Sequence, residues 1–304
     1  MDEEGCLKEM VPPGRTRQGK PYGGVIQVHV TRACDKRCCH CTQGSQLQGP
    51  VEFMTPLNFA VAVDSLYDYF GVVGVFGGNP ALHPEFPELC RILRGSATPK
   101  GRRGLWCNRP FGHAAVMRET FDPGISNLNV HRDRAAWDEF KAGWPESRPF
   151  GLDGDSRHSP VHLSMRDLGI PEPERHARIA RCDINQHWSA MIAQIGGELR
   201  GYFCEVAGGQ AVLRGDPTTG VEIRPGWWKA PMTDFVLQVR RHCHDCGFPL
   251  KAYGALAVAG TSEVTSAHWA DVYRVKGDRP VEVVTQVGVD RLRRNTDYLG
   301  NAGR

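Results

Sequence analysis

Three cysteines in the segment 31–42 have the residue type and spacing to bind an inorganic cluster. The segment reads Thr-Arg-Ala-Cys-Asp-Lys-Arg-Cys-Cys-His-Cys-Thr, which places Cys34, Cys38 and Cys41 in a C-x3-C-x2-C pattern. Three thiolates can ligate three irons of a cubane [4Fe–4S] cluster and leave the fourth iron open to another ligand. The alternatives are a zinc site or unpaired structural thiols. Cys39 breaks the spacing and is expected to stay unligated.

The position of the pattern, directly after the apolar run Val25-Ile-Gln-Val-His-Val30, resembles the radical S-adenosylmethionine (SAM) superfamily. The resemblance implies a [4Fe–4S] cluster whose open iron is chelated by the amino and carboxylate groups of SAM. It implies that an electron from this cluster splits SAM into methionine and a 5′-deoxyadenosyl radical. His40 stands where the family usually carries an aromatic residue, and its imidazole is expected to lie against the adenine.

A second motif follows in the run 71–80, Gly-Val-Val-Gly-Val-Phe-Gly-Gly-Asn-Pro. A β-branched strand that ends in Gly77-Gly78 lets a ligand approach the bare backbone closely. The run resembles the Gly-Gly-Glu-Pro motif with which radical SAM enzymes receive the SAM amino group, and the likeness extends over residues 81–89. Pro80 is retained, but Asn79 replaces the glutamate, so weaker SAM binding is expected because an amide brings no charge. Taken alone, Gly77-Gly78 would predict only a strand-to-helix turn.

Polar residues at the other predicted strand ends are further candidates for contacts with SAM. Asn108 lies where the family often has a Thr-Asn-Gly turn. Asn129 and His131 occupy alternate positions of a predicted strand and would point to one face. Ser164 and Arg166 follow the next strand, where the family commonly places side chains that hold the SAM carboxylate or ribose, and an arginine has the right fork for a carboxylate. A core or surface role is the alternative for each residue.

A second cysteine group lies in the other half of the chain and consists of Cys182, Cys204, Cys243 and Cys246. Residues 189–195 and 198–203, joined by Gly196-Gly197, predict a two-residue β-hairpin, and residues 233–242 predict a helix. This arrangement resembles the twitch or SPASM-type auxiliary-cluster domains of radical SAM enzymes, which implies a second, fully ligated [4Fe–4S] cluster. Zinc is the alternative, although a zinc ribbon normally pairs two C-x2-C knuckles. One auxiliary cluster is expected rather than two, because the only cysteines left over are Cys6, Cys39, Cys90 and Cys107.

Strand-like and helix-like segments alternate through the first half of the chain. Strands are predicted at 25–31, 72–76, 103–107, 125–131 and 161–165, and helices after the cap Thr55 and at 85–94, 112–120 and 134–143. Alternation predicts an α/β fold with a parallel sheet, and the resemblance implies a partial (β/α)6-type barrel, abbreviated because only five strands precede Cys182. We expect an irregular extension at 1–22, a radical SAM core at 23–181, and a smaller hairpin-plus-helix iron–sulfur domain with a C-terminal tail at 182–304.

Composition narrows the class of protein. Eleven cysteines without a secretion signal favour metal ligation in a reducing compartment, so a cytoplasmic location is expected. No apolar run approaches the length of a membrane helix, and no membrane partner is expected. The net charge of +3 does not demand a polyanionic partner. Basic clusters at 15–20, 102–103 and 291–294 predict solvated surface, but they leave a nucleic-acid partner open.

These patterns predict an enzyme that abstracts hydrogen from an unactivated carbon of a small metabolite or nucleotide-type substrate. The outcome would be oxidation, with the auxiliary cluster as electron acceptor, or isomerisation. The resemblance implies an external electron donor of the flavodoxin or ferredoxin type. Alternative substrates are a base within nucleic acid, which would have to be extruded, or a peptide undergoing maturation. A different class, a non-catalytic zinc-stabilised nucleic-acid-binding protein, is the distant alternative.

Overall fold

The computed structural model describes residues 1–15, 24–49, 51–153, 158–251, 263–274 and 281–285. The helices are α1 (Glu3–Glu9), α2 (Pro56–Asp64), α3 (Phe86–Gly95), α4 (Ala114–Thr120), α5 (Arg134–Gly143), α6 (Glu172–Ala180), α7 (Asp183–His187), α8 (Glu205–Arg214), α9 (Val236–His242) and α10 (Ala267–Ala270). The strands are β1 (Val25–Thr31), β2 (Val72–Gly77), β3 (Arg103–Leu105), β4 (Ser189–Ile195), β5 (Glu198–Tyr202), β6 (Val221–Glu222), β7 (Glu263–Thr265) and β8 (Val281–Val283). Arg17, Lys20 and the basic cluster at 291–294 lie outside the described residues.

Six strands form one mixed sheet in the order β3-β2-β1-β4-β5-β6. β1 pairs in parallel with β2 on one side and with β4 on the other, with Val25 opposite both Val72 and Ser189. β3 continues the parallel arrangement beyond β2, whereas β5 and β6 are each antiparallel to the strand before them. The α/β class and the predicted hairpin with its Gly196-Gly197 turn are confirmed.

Alternate residues of β1 serve the two faces of the sheet. Ile26, Val28 and Val30 belong to the main hydrophobic core, which also contains Phe59, Ala62 and Val63 of α2. On the opposite face, apolar side chains of β4 and β5 pack with Ala211 of α8. The first turn of α2 follows the sequence prediction, because Thr55 caps it by accepting from the backbone N–H of Asn58 at 3.1 Å. Since β1 to β4 are parallel, the segments after them meet at one edge of the sheet.

The segment 125–131, predicted as the fourth strand, is not a strand in the structure. It retains only isolated bridges, from Asn127 to Trp106 and from Asn129 to Phe150. Its end is bent because His131 has a positive φ of 48° and its backbone N–H donates to Asn129 Oδ1 at 3.1 Å. Local side-chain bonding of this kind competes with strand pairing.

The segment 161–165, predicted as the fifth strand, is also not a strand. Its backbone bonds to later parts of the chain, because His162 O accepts from Ser266 N at 3.2 Å and Val161 O accepts from Gly247 N at 3.0 Å. The backbone N–H of Ser164 donates to Ser266 Oγ at 2.9 Å. Among the described residues, the parallel part of the sheet therefore consists of four strands, β1 to β4. The barrel curvature stays a prediction.

The N-terminal residues differ from the irregular extension that the sequence predicts. Asp2 caps α1 by accepting from Gly5 N at 2.9 Å, and Cys6 is fully buried in the main core.

The hairpin β4–β5 belongs to the same sheet as β1, so the predicted boundary near residue 181 does not separate two sheets. The division into two domains stays a prediction. None of the helices in the described ranges is long and apolar enough to cross a membrane.

Candidate functional site

The cysteine loop begins where β1 ends and is held by two charged side chains, the buried Arg32 and the partly exposed Lys36. Arg32 Nη1 donates to the carbonyl oxygens of Gly44 and Leu47, at 2.9 and 3.0 Å, so one guanidinium ties the start of the loop to its end. Lys36, inside the loop, pairs with Asp133 at 2.7 Å and joins the loop to the start of α5. Contacts within the protein thus anchor the loop on two sides.

The thiols of the loop fall into two groups. Cys34, Cys38 and Cys41 are partly exposed, whereas Cys39 is fully buried. Burial raises the pKa of the Cys34 thiol to about 12 and also raises the pKa of Cys41. The chain alone therefore does not stabilise thiolates here, and a cationic iron group would supply the missing positive charge. The donor set fits a cluster with three cysteine ligands.

Gly77 and Gly78 lie against the backbone of the cysteine loop. A Cβ at Gly77 would be 2.1 Å from Thr31 O, and one at Gly78 would be 2.2 Å from Ala33 O and 2.7 Å from Arg32 O. Gly78 N donates to Thr31 O at 2.8 Å. The close approach that the sequence predicted is made by the protein's own loop. Contact of these glycines with SAM stays a prediction.

Asn79 connects the end of β2 to the end of β3. Its side-chain oxygen accepts from Ala81 N at 3.0 Å and caps the short 3-10 helix Pro80–Leu82. Its amide nitrogen donates to Asn108 Oδ1, and Asn108 Nδ2 in turn donates to Cys34 Sγ at 3.5 Å. Asn79 is fully buried and its amide is engaged by protein groups, so in this arrangement it acts on the loop through Asn108.

The remaining candidates near the loop are two histidines and one asparagine. His40 is fully buried, with Nδ1 3.5 Å from Glu263 Oε2, so its ring faces the interior. His131 lies close enough to the cysteine loop to interact electrostatically with its charged residues, and burial lowers the pKa of His131 to about 4, which keeps the ring neutral. Asn129 bends the chain at His131. Their predicted SAM contacts stay predictions.

Ser164 and Arg166 contact the second cysteine group. Ser164 Oγ donates to Asp245 Oδ1 and Arg166 Nη1 donates to Asp245 Oδ2, each at 2.7 Å. Asp245 is buried and lies between Cys243 and Cys246. The sequence predicted that these two side chains would hold SAM, but their partner in the structure is the carboxylate of the cysteine knuckle.

The four cysteines of the second group line one small cavity of about 20 Å³. Cys182 precedes α7 and Cys204 is the N-cap of α8. Cys243 and Cys246 flank a single 3-10 turn that follows α9. The rest of the wall is mostly apolar and includes Ile179, Phe203 and Phe248. Cysteines that span 65 residues of the sequence thus line the same cavity, which makes it the candidate auxiliary-cluster site. Binding of a cluster there stays a prediction.

The chemistry of this cavity suits a cationic group. Burial raises the pKa of Cys182 to about 11 and raises the pKa values of Cys204, Cys243 and Cys246, which also interact electrostatically with one another. Within the described ranges, no three His, Cys, Asp or Glu side chains are arranged as ligands of a single metal ion. In a cubane cluster each cysteine binds a different iron, so the four sulfurs need not meet at one point.

Helix α8 joins the two cysteine groups. It starts at Cys204, and a Cβ at Gly209 would lie 2.5 Å from Thr42 O, one residue after Cys41. Five residues of helix cover about 7.5 Å along the axis. The second cavity and the cysteine loop are therefore in contact through the first half of one helix.

A separate cleft of about 370 Å³ opens beside the cysteine loop. It lies at the carboxyl ends of β1 and β4, where the chain order reverses around β1, and open α/β sheets commonly bind ligands at such a point. Its wall includes His29, Arg32, Glu52, Gln194 and Val212. Burial lowers the pKa of His29 to about 3, so the imidazole is neutral. The size suits a small organic molecule.

Three residues that hold the cysteine groups were not identified from the sequence. Asp245 stands inside the C-x2-C knuckle, where a lone acidic residue between two cysteines was the available signal. His158 and Glu263 bond to the backbone of the cysteine loop from distant parts of the chain. No local pattern marks either residue, because each is recognised only by what the fold brings next to it.

No protein-family model matches the chain, and no curated protein sequence matches it. Among solved structures, the chain is similar to that of BtrN in complex with AdoMet and 2-DOIA. The two are 15% identical with a TM-score of 0.47, and the match covers 75% of this chain and 93% of that chain.

Proposed function

We propose that the protein is a radical SAM enzyme in which Cys34, Cys38 and Cys41 hold a [4Fe–4S] cluster. The observation that carries the proposal is the loop at the carboxyl end of the central strand β1. Its three thiols with C-x3-C-x2-C spacing are partly exposed, while Cys39 between them is buried. Three thiolates leave one iron open for SAM.

The chain's own residues would hold and shield this group. Gly77 and Gly78 allow the loop to lie against the end of β2, and Asn108 donates to Cys34 Sγ. Held by these residues, the cluster would supply one electron for the reductive cleavage of SAM to methionine and a 5′-deoxyadenosyl radical. Among the predicted SAM contacts, Asn108 and His131 have the best support, because each already interacts with the loop.

The second part of the proposal is an auxiliary [4Fe–4S] cluster on Cys182, Cys204, Cys243 and Cys246. Its support is that all four line one cavity and that burial disfavours their ionisation without a nearby cation. The contact of Gly209 with the first loop supports a role near the substrate. An electron acceptor at this position would make the reaction a two-electron oxidation, and a purely structural cluster would leave isomerisation.

For the substrate we propose a small metabolite or nucleotide-type molecule that binds in the cleft beside Arg32. The cleft has a suitable size, and its wall combines a guanidinium, a carboxylate, an amide and a neutral imidazole with apolar side chains. These groups can orient a polar molecule while apolar contacts exclude water. An external donor of the flavodoxin or ferredoxin type would deliver the electron.

The test is anaerobic purification followed by incubation with SAM, dithionite and a fractionated cell extract. The proposal predicts a brown protein that absorbs near 400 nm with about eight irons per chain. It also predicts 5′-deoxyadenosine whose amount depends on the extract. Colourless protein with two zinc ions and no SAM cleavage would instead indicate the zinc-stabilised binding protein. Iron without extract-dependent 5′-deoxyadenosine would contradict the proposed substrate class.

A further inference from the structure

One peptide group in the middle of the cysteine loop is held at both ends by side chains from other parts of the chain. The carbonyl oxygen of Cys39 accepts from His158 Nδ1 at 3.1 Å. The N–H of His40, which belongs to the same peptide group, donates to Glu263 Oε2 at 3.0 Å. Both partners come from distant segments, 119 and 223 residues away in sequence.

The peptide lies where the loop must reverse direction between Cys38 and Cys41. His40 has a φ of 54°, in the left-handed region that residues with a side chain rarely adopt. Such a conformation persists only where the surrounding structure enforces it. The bonds to His158 and Glu263 are the interactions that fix this peptide plane, and the plane sets the directions in which the flanking cysteine side chains leave the backbone.

The two holding side chains are themselves fixed. Glu263 is fully buried at the start of β7, and Tyr273 donates its hydroxyl hydrogen to the same carboxylate oxygen. The carbonyl of Cys39 can only accept, so Nδ1 of His158 carries the proton. Burial lowers the pKa of His158 and keeps the ring neutral in this role.

We propose that Glu263 and His158 are positioning residues for the first cluster, because they hold the 39–40 peptide in the turn that directs Cys38 and Cys41 towards it. The inference rests on the proposed function, but the turn itself exists in the protein without the cluster. Glu263 acts as a hydrogen-bond acceptor, so glutamine at this position can replace it whereas alanine cannot.

Two variants of the full chain, Glu263→Ala and Glu263→Gln, test this role, and Glu263→Gln is the matched control because its side-chain oxygen can still accept from the His40 N–H. In the cluster-free protein, hydrogen–deuterium exchange should show the His40 amide protected in the natural protein and in Glu263→Gln. In Glu263→Ala, the His40 amide should exchange about tenfold faster, while the amides of β1 stay protected. Equal protection in all variants would overturn the inference.

Reconstitution with iron and sulfide then tests the consequence for the cluster. Glu263→Ala should lose the electron-paramagnetic signal that changes on addition of SAM, and Glu263→Gln should recover it. His158→Ala should weaken the same signal, because the carbonyl end of the peptide is released. If the natural protein shows no such signal, the proposed function fails. If it does and Glu263→Ala retains it unchanged, only the present inference fails.

Discussion

Asn108 Nδ2 donates a hydrogen bond to Cys34 Sγ at 3.5 Å, and Asn79 orients Asn108 by donating to its side-chain oxygen. The bond links the end of β3 to the first cysteine of the loop. Hydrogen bonds to cysteine sulfurs are one of the means by which proteins set the reduction potential of iron–sulfur clusters. The asparagine network therefore bears on the redox chemistry of the first cluster as well as on its placement.

Replacing Asn108 by leucine should lower the midpoint potential of the first cluster by about 40 mV. A donated N–H stabilises the extra negative charge of the reduced cluster, and about 1 kcal/mol for one bond corresponds to this shift in a one-electron step. Anaerobic potentiometric titration followed by paramagnetic resonance measures it. Asn127→Leu, at a residue bridged to Trp106 through its backbone, is the control. A potential unchanged or raised by Asn108→Leu would show that the bond has no such effect.

Gly78→Ala should displace the cysteine loop and lower the iron content of the first site. The new Cβ would meet two backbone oxygens of the loop within 2.7 Å, and backbone cannot yield as a flexible side chain can. We expect unfolding free energy to fall by about 2 kcal/mol, measured by denaturant titration of the cluster-free protein. Gly101→Ala is the matched control, because nothing lies within 4 Å of its added carbon. Equal stability of both variants would contradict the packing argument.

Arg166→Ala should affect the second cysteine group and leave SAM affinity unchanged. Its guanidinium pairs with the buried carboxylate of Asp245, and the loss leaves that carboxylate with weaker support inside the knuckle. We expect the variant to lose the auxiliary cluster at a smaller dilution than the natural protein does. Its free energy of unfolding should be lower by about 1 kcal/mol. Arg91→Ala removes an exposed pair with Glu88 and serves as control. At least tenfold weaker SAM binding with the second cluster intact would instead support the SAM contact that the sequence predicts for Arg166.

Replacing Cys243 and Cys246 together by alanine should halve the iron content and increase protease cleavage after residue 181. The cluster would tie the hairpin, α8 and the knuckle together, so its loss removes part of the stability of that region. Iron analysis and limited proteolysis measure the two effects. Cys90→Ala, in α3 and away from both cysteine groups, should keep all the iron. Full iron content in the double variant would exclude the second cluster.

The sequence predicted the parts of the fold that local patterns determine. The strand 25–31, the capped helix after Thr55 and the hairpin around Gly196-Gly197 depend on alternation, caps and turn residues, and all three are present. The predictions of strands at 125–131 and 161–165 were wrong. The backbone of the first segment bonds to the Asn129 side chain, and the backbone of the second bonds to Gly247 and Ser266. Pairing of β4 with β1 was not predictable either, since no local feature specifies a neighbour 164 positions away.

The same distinction applies to the site. Both cysteine groups follow from spacing, and the second group does converge on one cavity. The partners of Ser164 and Arg166 could not be read from the sequence, because Asp245 reaches them only through the fold. The group that approaches Gly77-Gly78 could not be read from the sequence for a related reason. A glycine pair indicates close approach of another group, and the structure identifies that group as the loop backbone.

The central claim is that Cys34, Cys38 and Cys41 hold the cluster at which SAM is cleaved. The most direct measurement is reductive formation of 5′-deoxyadenosine by the triple alanine variant, prepared anaerobically beside Cys39→Ala. We expect the triple variant to lose about four irons and all SAM cleavage while it keeps the second cluster, and we expect Cys39→Ala to retain both. Persistent 5′-deoxyadenosine formation by the triple variant, or its loss in Cys39→Ala, would contradict the account.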